Sequence, residues 1–220
     1  MPASETKTAE GLRARRGRET RAAILKAAER VFAEGGLDGA RTDAITAAAG
    51  VNKALLYYYF RSKDALYSAV IEALYEEFYR REMAVLSGED CVRSTLLRFV
   101  TTHFDFIAAR PYYPPLFQRL LVAGGRPLER LGRKYLVPLS RKLVKLIERG
   151  VRRGELRPAD SHHTALSLVA LTVFYFSAAP VVKIIRHVDP YERAQLARRK
   201  QEVLDFIRYG LFRNPEARLP

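Results

Sequence analysis

Two short apolar segments separated by one glycine most constrain what this chain can fold into. Residues 42–49 and 53–59 both have the composition of helices, and Gly50 breaks the chain between them. Small residues dominate the first segment, so another helix can pack closely across it. Gly50 permits a sharp turn, and Val51 can fill the angle between the two helices. This arrangement predicts a helix-turn-helix, whose second helix is short enough to enter a DNA major groove.

The rest of the chain also has helical periodicity, and strand-like alternation bounded by hairpin turns is missing. Thr42, Asn52 and Ser62 are each placed to cap a helix, because their side chains can accept a free amide hydrogen. Pro180 is expected to end or kink a helix. The predicted helices cover about 19–34 (ended by Gly35 and Gly36), 42–49, 53–59, 62–78, 92–107, 116–122, 127–153, 161–178 and 190–208.

The segment 42–66, TDAITAAAGVNKALLYYYFRSKDAL, resembles the DNA-binding motif of the TetR family of transcriptional regulators. Close matching covers about residues 19–67, and beyond them only length and helical layout agree. The resemblance implies an all-α fold in which a three-helix DNA-binding domain (19–67) is joined through a long helix to a helical ligand-binding and dimerisation domain (68–220). Residues 1–18, which are rich in arginine, are expected to form a basic flexible arm or a solubilising tail.

The resemblance also implies which residues contact DNA. Four are expected to hold phosphates and so to position the protein without reading sequence: Thr42, Tyr57, Tyr58 and Lys63. Tyr57 as a core residue and Lys63 as a solvated helix-start residue are the alternatives. Tyr59 and Phe60 are expected to pack inward.

Three residues at the front of the second short helix are expected to meet base edges. Asn52 suits adenine, Lys53 suits guanine, and Leu55 suits a thymine methyl group. Leu55 packed against the first helix is the alternative. Ala54 stands where many family members have glycine. Its methyl group either holds the backbone away from the groove or itself touches a thymine methyl.

For the second half, the resemblance implies a small-molecule pocket and a homodimer formed by the last two long helices. An apolar pocket with few polar groups is the common design for such a site. The candidate lining residues are Phe99, His103, Phe106, Tyr112, Tyr113, Phe117, Phe174, Tyr175 and Phe176. A satisfied core histidine is the alternative for His103, and a monomer's core helix is the alternative for 161–178.

Positive charge is concentrated outside the DNA-binding motif. The chain has a net charge of +14, but residues 1–67 contribute only +4, and residues 126–157 alone contribute +8. Such a run indicates either a solvated helix face or an anionic effector. We therefore expect an effector that is either apolar or an anionic amphiphile.

Other function classes have little support in the sequence. One cysteine, Cys91, excludes an internal disulfide framework, and no His or Cys cluster completes a metal shell around His162, His163 and Asp160. No catalytic residue, metal or cofactor is predicted. The uncharged stretch 165–182 is at the lower limit for a membrane span, and we interpret it as a helix buried on most sides within a soluble protein. With no signal-peptide pattern, the expected location is cytoplasmic.

Overall fold

The computed structural model describes residues 3–88 and 91–216, and all of the regular structure in them is helical. One isolated antiparallel bridge joins Leu156 to Phe212. The elements are α1 (Ala3–Gly39), α2 (Thr42–Ala49), α3 (Lys53–Phe60), α4 (Lys63–Leu86), α5 (Val92–Ala108), α6 (Tyr113–Ala123), α7 (Gly125–Leu131), a π-helical turn (Gly132–Leu136), α8 (Val137–Arg152), α9 (Ser161–Ser177), α10 (Ala179–Arg186) and α11 (Arg193–Leu211). The all-α prediction is confirmed.

The chain divides into two compact units, Met1–Leu74 and Tyr75–Pro220. The division falls within α4, which is the long helix predicted to start near Ser62. The sequence placed the boundary after residue 67, which lies earlier in the same helix.

The first unit is built on the apolar face of α1. Ile24, Ala28 and Phe32 follow each other at a spacing of four residues, so they lie on one side of the helix, and all three are fully buried. Ile45 of α2 and Leu56 of α3 are also fully buried, as the helical periodicity requires. These contacts hold the two short helices in place, since segments of eight residues have little stability alone.

Both ends of α1 differ from the sequence prediction. Residues 3–18, expected as a flexible arm, continue the helix, and an ion pair between Arg15 and Glu19 (3.2 Å) joins neighbouring turns. The expected stop at Gly35 and Gly36 is only a break: Gly36 has a φ of 68° and a ψ of −169°, and helical structure resumes to Gly39.

Two proline-containing segments in the second unit also differ from prediction. The helix expected over 127–153 is divided into α7, a π-helical turn and α8. Pro138 lies in the first turn of α8. Because proline has no N–H, it cannot donate the backbone hydrogen bond that an α-helix would make to the preceding turn. α6 begins at Tyr113 instead of residue 116, since Pro114 and Pro115 occupy first-turn positions that need no N–H donor.

The uncharged stretch 165–182 is not one helix. α9 ends at Ser177, Pro180 opens the separate helix α10, and the two are bent by 66°. Only one side of α9 is buried, so the prediction of a helix buried on most sides is wrong. No single helix among the described residues has the length and apolarity of a membrane span, although α9 and α10 reach them as a bent pair.

Candidate functional sites

The turn between α2 and α3 has the geometry that the sequence predicts. Gly50 has a φ of 66° and a ψ of 33°, the left-handed conformation that glycine adopts without strain. The amide of Val51 donates to the Thr46 carbonyl (3.1 Å), which closes the turn. The Asn52 side chain accepts a hydrogen bond from the Leu55 amide at 2.8 Å, so it caps α3 as predicted.

One side of α3 is buried and the other faces solvent. Leu56 and Phe60 are buried, and the Arg21 guanidinium lies 5.2 Å from the centre of the Phe60 ring. Tyr57 and Tyr58, in contrast, are 41% and 77% exposed. The tyrosines expected to contact phosphate are therefore available to solvent, and core packing does not account for Tyr58.

The residues expected to read bases share this exposed side. Asn52, Lys53 and Ala54 are exposed, whereas Leu55 is half-buried. Asn52 uses its side-chain oxygen for the helix cap, which leaves its amide hydrogens for another partner. Because recognition of adenine by asparagine uses both an acceptor and a donor, this cap limits what Asn52 can read.

Lys53 is paired with Asp43 of α2 at 2.8 Å. A hydrogen bond and the charge attraction raise the pKa of Lys53 and lower that of Asp43. Both side chains are exposed, so solvent screens the attraction. Lys53 can therefore exchange this partner for a base or a phosphate.

Three of the four expected phosphate contacts, Thr42, Tyr57 and Lys63, line a cleft at the start of α2. Thr42 is the first helical residue of α2 and not its cap, because Arg41 occupies the cap position with extended backbone and no side-chain cap bond. The cleft has a volume of about 340 Å³ and is lined by Ala40, Arg41, Thr42, Asp43, Tyr57 and Lys63.

Lys63 joins two parts of this cleft. Its ammonium group donates to the carbonyls of Asp38 (3.2 Å) and Ala40 (3.3 Å), in the segment where α1 leads into α2. Two of its three hydrogens are therefore engaged within the protein, and the third is left for an anion.

Arg41 is a site residue that the sequence reasoning missed. It is exposed and immediately precedes α2, whose first amides have no partner within the helix. A basic residue directly before a predicted helix start was the available signal. With Lys63 it makes the cleft a cationic site at a helix N-terminus, which favours a phosphate.

In the second unit, the structure brings together five of the predicted pocket residues. Tyr113 contacts two of the others: the centre of its ring lies 5.4 Å from that of Phe106 and 6.0 Å from that of Phe117. Phe99 contacts His103 edge-on at 5.7 Å. These side chains belong to α5 and α6, and the contact between Phe106 and Tyr113 joins the two helices.

The candidate residues of α9 lie elsewhere. Phe174 is 71% exposed and lines no interior space, so its assignment to the pocket is wrong. Helical periodicity explains this, since α9 turns Tyr175 and Phe176 inward and Phe174 out. The Tyr175 hydroxyl donates to the Pro190 carbonyl at 3.0 Å, and Phe176 packs on Phe104.

Glu82 of α4 lies among these rings. It is not among the pocket residues predicted from the sequence. Its side chain is completely buried, and its Oε1 is 4.0 Å from Nδ1 of His103, which is also buried. Among the described residues, the two carboxyl oxygens of Glu82 and the two ring nitrogens of His103 have no hydrogen-bond partner. Glu82 falls on the apolar face of α4 at helical spacing from Tyr75 and Phe78, which was the available signal.

Burial sets the ionisation of this pair. Removal from water raises the pKa of Glu82 to about 8 and lowers that of His103 to about 4. At neutral pH Glu82 is therefore protonated and His103 is neutral. Burial also raises the pKa of the Tyr113 hydroxyl, and the neighbouring Tyr75 and Glu82 add to that effect.

The basic run 126–157 lies at the surface. Ten of its eleven Lys and Arg side chains are exposed, and Arg149 is half-buried. Glu148 is 3.9 Å from Arg152, and Lys142 donates to the Ser87 hydroxyl at 3.3 Å. The run is therefore a solvent-exposed helix face, and none of its basic side chains pairs with Glu82.

The weaker candidates for a site are explained by local structure. Asp160 accepts the His163 amide at 2.8 Å and caps α9, and both His162 and His163 are exposed. The Cys91 sulfur caps α5 by accepting the Ser94 amide at 3.4 Å. Within residues 3–88 and 91–216, no group of three or more His, Cys, Asp and Glu side chains is arranged to hold a metal.

Comparison with known proteins matches both halves of the chain. Residues 24–70 match the model for bacterial regulatory proteins of the tetR family, and residues 93–207, more than half of the chain, match the tetracyclin repressor-like C-terminal domain. The HTH-type transcriptional repressor NicS of Pseudomonas putida is 29% identical over 184 residues, which are 81% of this chain and 86% of NicS.

Solved structures share the fold at lower identity. A transcriptional regulator from Saccharomonospora viridis, solved with choline, superposes with a TM-score of 0.71 at 19% identity, covering 89% of this chain and 99% of the other. FadR of Bacillus subtilis, solved with stearoyl-CoA, superposes with a TM-score of 0.64 at 19% identity, covering 84% and 96%.

Proposed function

Since the chain belongs to the TetR family of bacterial transcriptional regulators, we propose that it is a homodimeric repressor that binds a palindromic operator and releases it when a small molecule binds. The observation that carries this proposal is the exposed side of α3 beside a cationic cleft at the start of α2. NicS, its relative, is a repressor. A regulator of this kind acts on the chromosome, in the cytoplasm.

The cleft is the proposed phosphate site. Arg41 and Lys63 supply positive charge, Thr42 supplies a hydroxyl, and Tyr57 supplies a phenol at the rim. Tyr58, further round α3, is a second phosphate contact. Such contacts give affinity and orientation without base preference.

Base reading falls to the front of α3. Lys53 and Ala54 are exposed to solvent, and Leu55 is half-buried. Lys53 can donate to guanine after leaving Asp43, and the Ala54 methyl suits thymine. One such helix covers too few base pairs for useful specificity, so two half-sites and a dimer are needed.

Exposed apolar residues on adjacent helices support the dimer. α9 exposes Leu166 and Phe174, and α11 exposes Phe206 and Tyr209. Large apolar surfaces of this kind mark interaction sites when they lie together. A second copy covering both helices would form the four-helix interface that the family resemblance implies.

Capture of genomic fragments with the purified protein tests the operator. We expect a recovered palindrome whose two halves are separated by about one helical turn or a multiple of it. Recovery of sequences without twofold symmetry would contradict the palindromic operator.

Variants of the cleft test the contact residues by gel shift. R41A and Y57F should weaken binding to the operator and to a scrambled duplex by the same factor, because phosphates carry no sequence information. K53A should reduce the preference for the operator instead. R30A, which removes an exposed arginine of α1, is the matched control. Unchanged affinity for R41A and Y57F would refute the cleft as a phosphate site.

Light scattering after size exclusion tests the dimer. F174E places a charge in the exposed stripe of α9 and should yield monomers. V122E changes a residue of α6 that is 90% exposed and should leave the dimer intact. A monomeric wild-type protein, or a dimer that F174E does not disturb, would contradict the proposed interface.

A further inference from the structure

The proposed function leaves open the chemical class of the effector, and the pair Glu82–His103 bears on it. The two side chains come from α4 and α5 and lie in the second unit, 4.0 Å apart. Both are buried, and four of their polar atoms have no hydrogen-bond partner among the described residues. Buried polar groups are normally satisfied, so each exception requires an explanation.

Aromatic rings surround this pair. Phe78 and Phe99 meet the His103 ring edge-on at 5.0 and 5.7 Å. Tyr113 lies 6.3 Å from Phe78, and its hydroxyl is close enough to Glu82 for their charges to interact. Aromatic faces carry partial negative charge, so rings beside this pair favour a cation over an anion.

No cation of the described protein neutralises Glu82. Arg81 and Arg110 are the arginines bound beside these rings, and both pair with the carboxylate of Glu77. Both guanidinium groups also lie over the Phe106 ring, at 5.8 Å for Arg81 and 4.2 Å for Arg110. An anionic head group would be buried there with no compensating positive charge, since the basic run 126–157 is exposed at the surface.

We propose that the cluster of Phe78, Glu82, Phe99, His103 and Tyr113 binds the head group of a cationic effector, a primary ammonium group. In the empty protein Glu82 carries a proton, and in the complex the ligand's positive charge takes the place of that proton, which passes to solvent. The charge of the site is therefore the same before and after binding. This inference rests on the proposed function only in that the ligand controls DNA binding.

The exchange of a proton for a cation makes binding depend on pH. Three groups face Glu82 or its neighbour and titrate: His103 of α5, Tyr113 of α6 and Tyr75 of α4. His103 is neutral at neutral pH, and the Tyr113 hydroxyl stays protonated because burial raises its pKa. Of Glu82, His103 and Tyr113, only Glu82 changes ionisation between pH 6.5 and 8, so affinity for a cation should rise there, approaching tenfold per pH unit at the acidic end.

Three compounds with the same butyl chain test the head group: butylammonium, 1-butanol and pentanoate. Thermal unfolding of the full-length protein without DNA is measured across a concentration series of each. Butylammonium should raise the Tm, and more at pH 8 than at pH 6.5, whereas the alcohol and the carboxylate should have little effect. Equal shifts for the three, or no shift from butylammonium at the top of the series, would overturn the proposal.

Two variants attribute the response to Glu82. E82Q keeps the shape of the protonated side chain but cannot ionise, so it should fold normally and lose the response to butylammonium. E76Q removes an exposed carboxylate of the same helix and should respond like the wild type. An E82Q variant that folds and still responds would overturn the assignment.

The operator experiments are independent of this one. Failure to capture DNA would refute the proposed function, but the thermal shift would still test whether the protein binds a cation. A captured operator with no charge-selective shift would refute only the cationic effector.

Discussion

Replacing Glu82 with glutamine should stabilise the protein at alkaline pH and flatten the dependence of its stability on pH. Glu82 is buried and protonated in the folded chain, with a pKa of about 8, whereas its ordinary value is 4.5. Folding must therefore take up a proton at neutral pH. Glutamine presents a similar neutral group in both states and removes that requirement.

The magnitude follows from linkage. A raised folded-state pKa contributes stability that is fully present below pH 4.5 and is lost as pH rises through 8. His103 has the opposite sign: its folded-state pKa of about 4 lies below the ordinary 6.5, so stability is gained as pH rises between them. The two slopes cancel from about pH 4.5 to 6.5, and above that range only Glu82 contributes. At about 1.4 kcal/mol per pH unit, the loss from pH 6.5 to 8 is about 2 kcal/mol.

Urea unfolding followed by circular dichroism measures this loss at fixed protein concentration and without ligand. The wild type and the E76Q control should lose about 2 kcal/mol of unfolding free energy between pH 6.5 and 8, and E82Q should lose much less. Parallel losses in wild type and E82Q would show that Glu82 is not protonated in the folded protein. That result would also remove the proton exchange on which the cationic effector depends.

Three further substitutions test the packing and capping. G150A puts a methyl group 2.7 Å from neighbouring leucine and valine side-chain atoms and should cost about 1–3 kcal/mol of unfolding free energy, while G132A, which faces open space, should change it by less than about 1 kcal/mol. N52A removes the cap of α3 and should lower stability by about 1 kcal/mol in the same unfolding assay. Y175F removes the hydrogen bond to the Pro190 carbonyl and should lower the unfolding free energy by about 1 kcal/mol. An unchanged unfolding free energy would show that this hydrogen bond makes no net contribution to stability.

The helix-turn-helix was predictable because its determinants are local. Asn52 and Ser62 cap the helices that follow them, and Gly50 adopts the left-handed turn. The family resemblance implied an exposed Tyr58 and an inward Phe60, and their exposures agree with it. Residue order alone carries this information.

Predictions failed where backbone bonding or helix rotation decided the outcome. The apolar periodicity continues through Pro138, so it predicts one unbroken helix. It contains no signal for the π-helical turn that precedes Pro138. Phe174 was grouped with Tyr175 and Phe176 by composition, although consecutive residues of a helix point about 100° apart. The arginine-rich start was expected as a flexible arm because charge patterning cannot exclude a helix.

The sequence by itself determined the all-α fold and the helix-turn-helix, because capping groups, glycine positions and helical periodicity act over a few residues. The motif over residues 42–66 carried the resemblance to the family and, with it, the expected DNA contacts of α3. Only the tertiary structure decided which polar groups share the interior of the second unit. Glu82 and His103 are twenty-one positions apart, on α4 and α5, and Tyr113 comes from α6. A carboxylate is ordinary on a surface helix. The packing of three helices buries this one among aromatic rings, and burial alone raises its pKa.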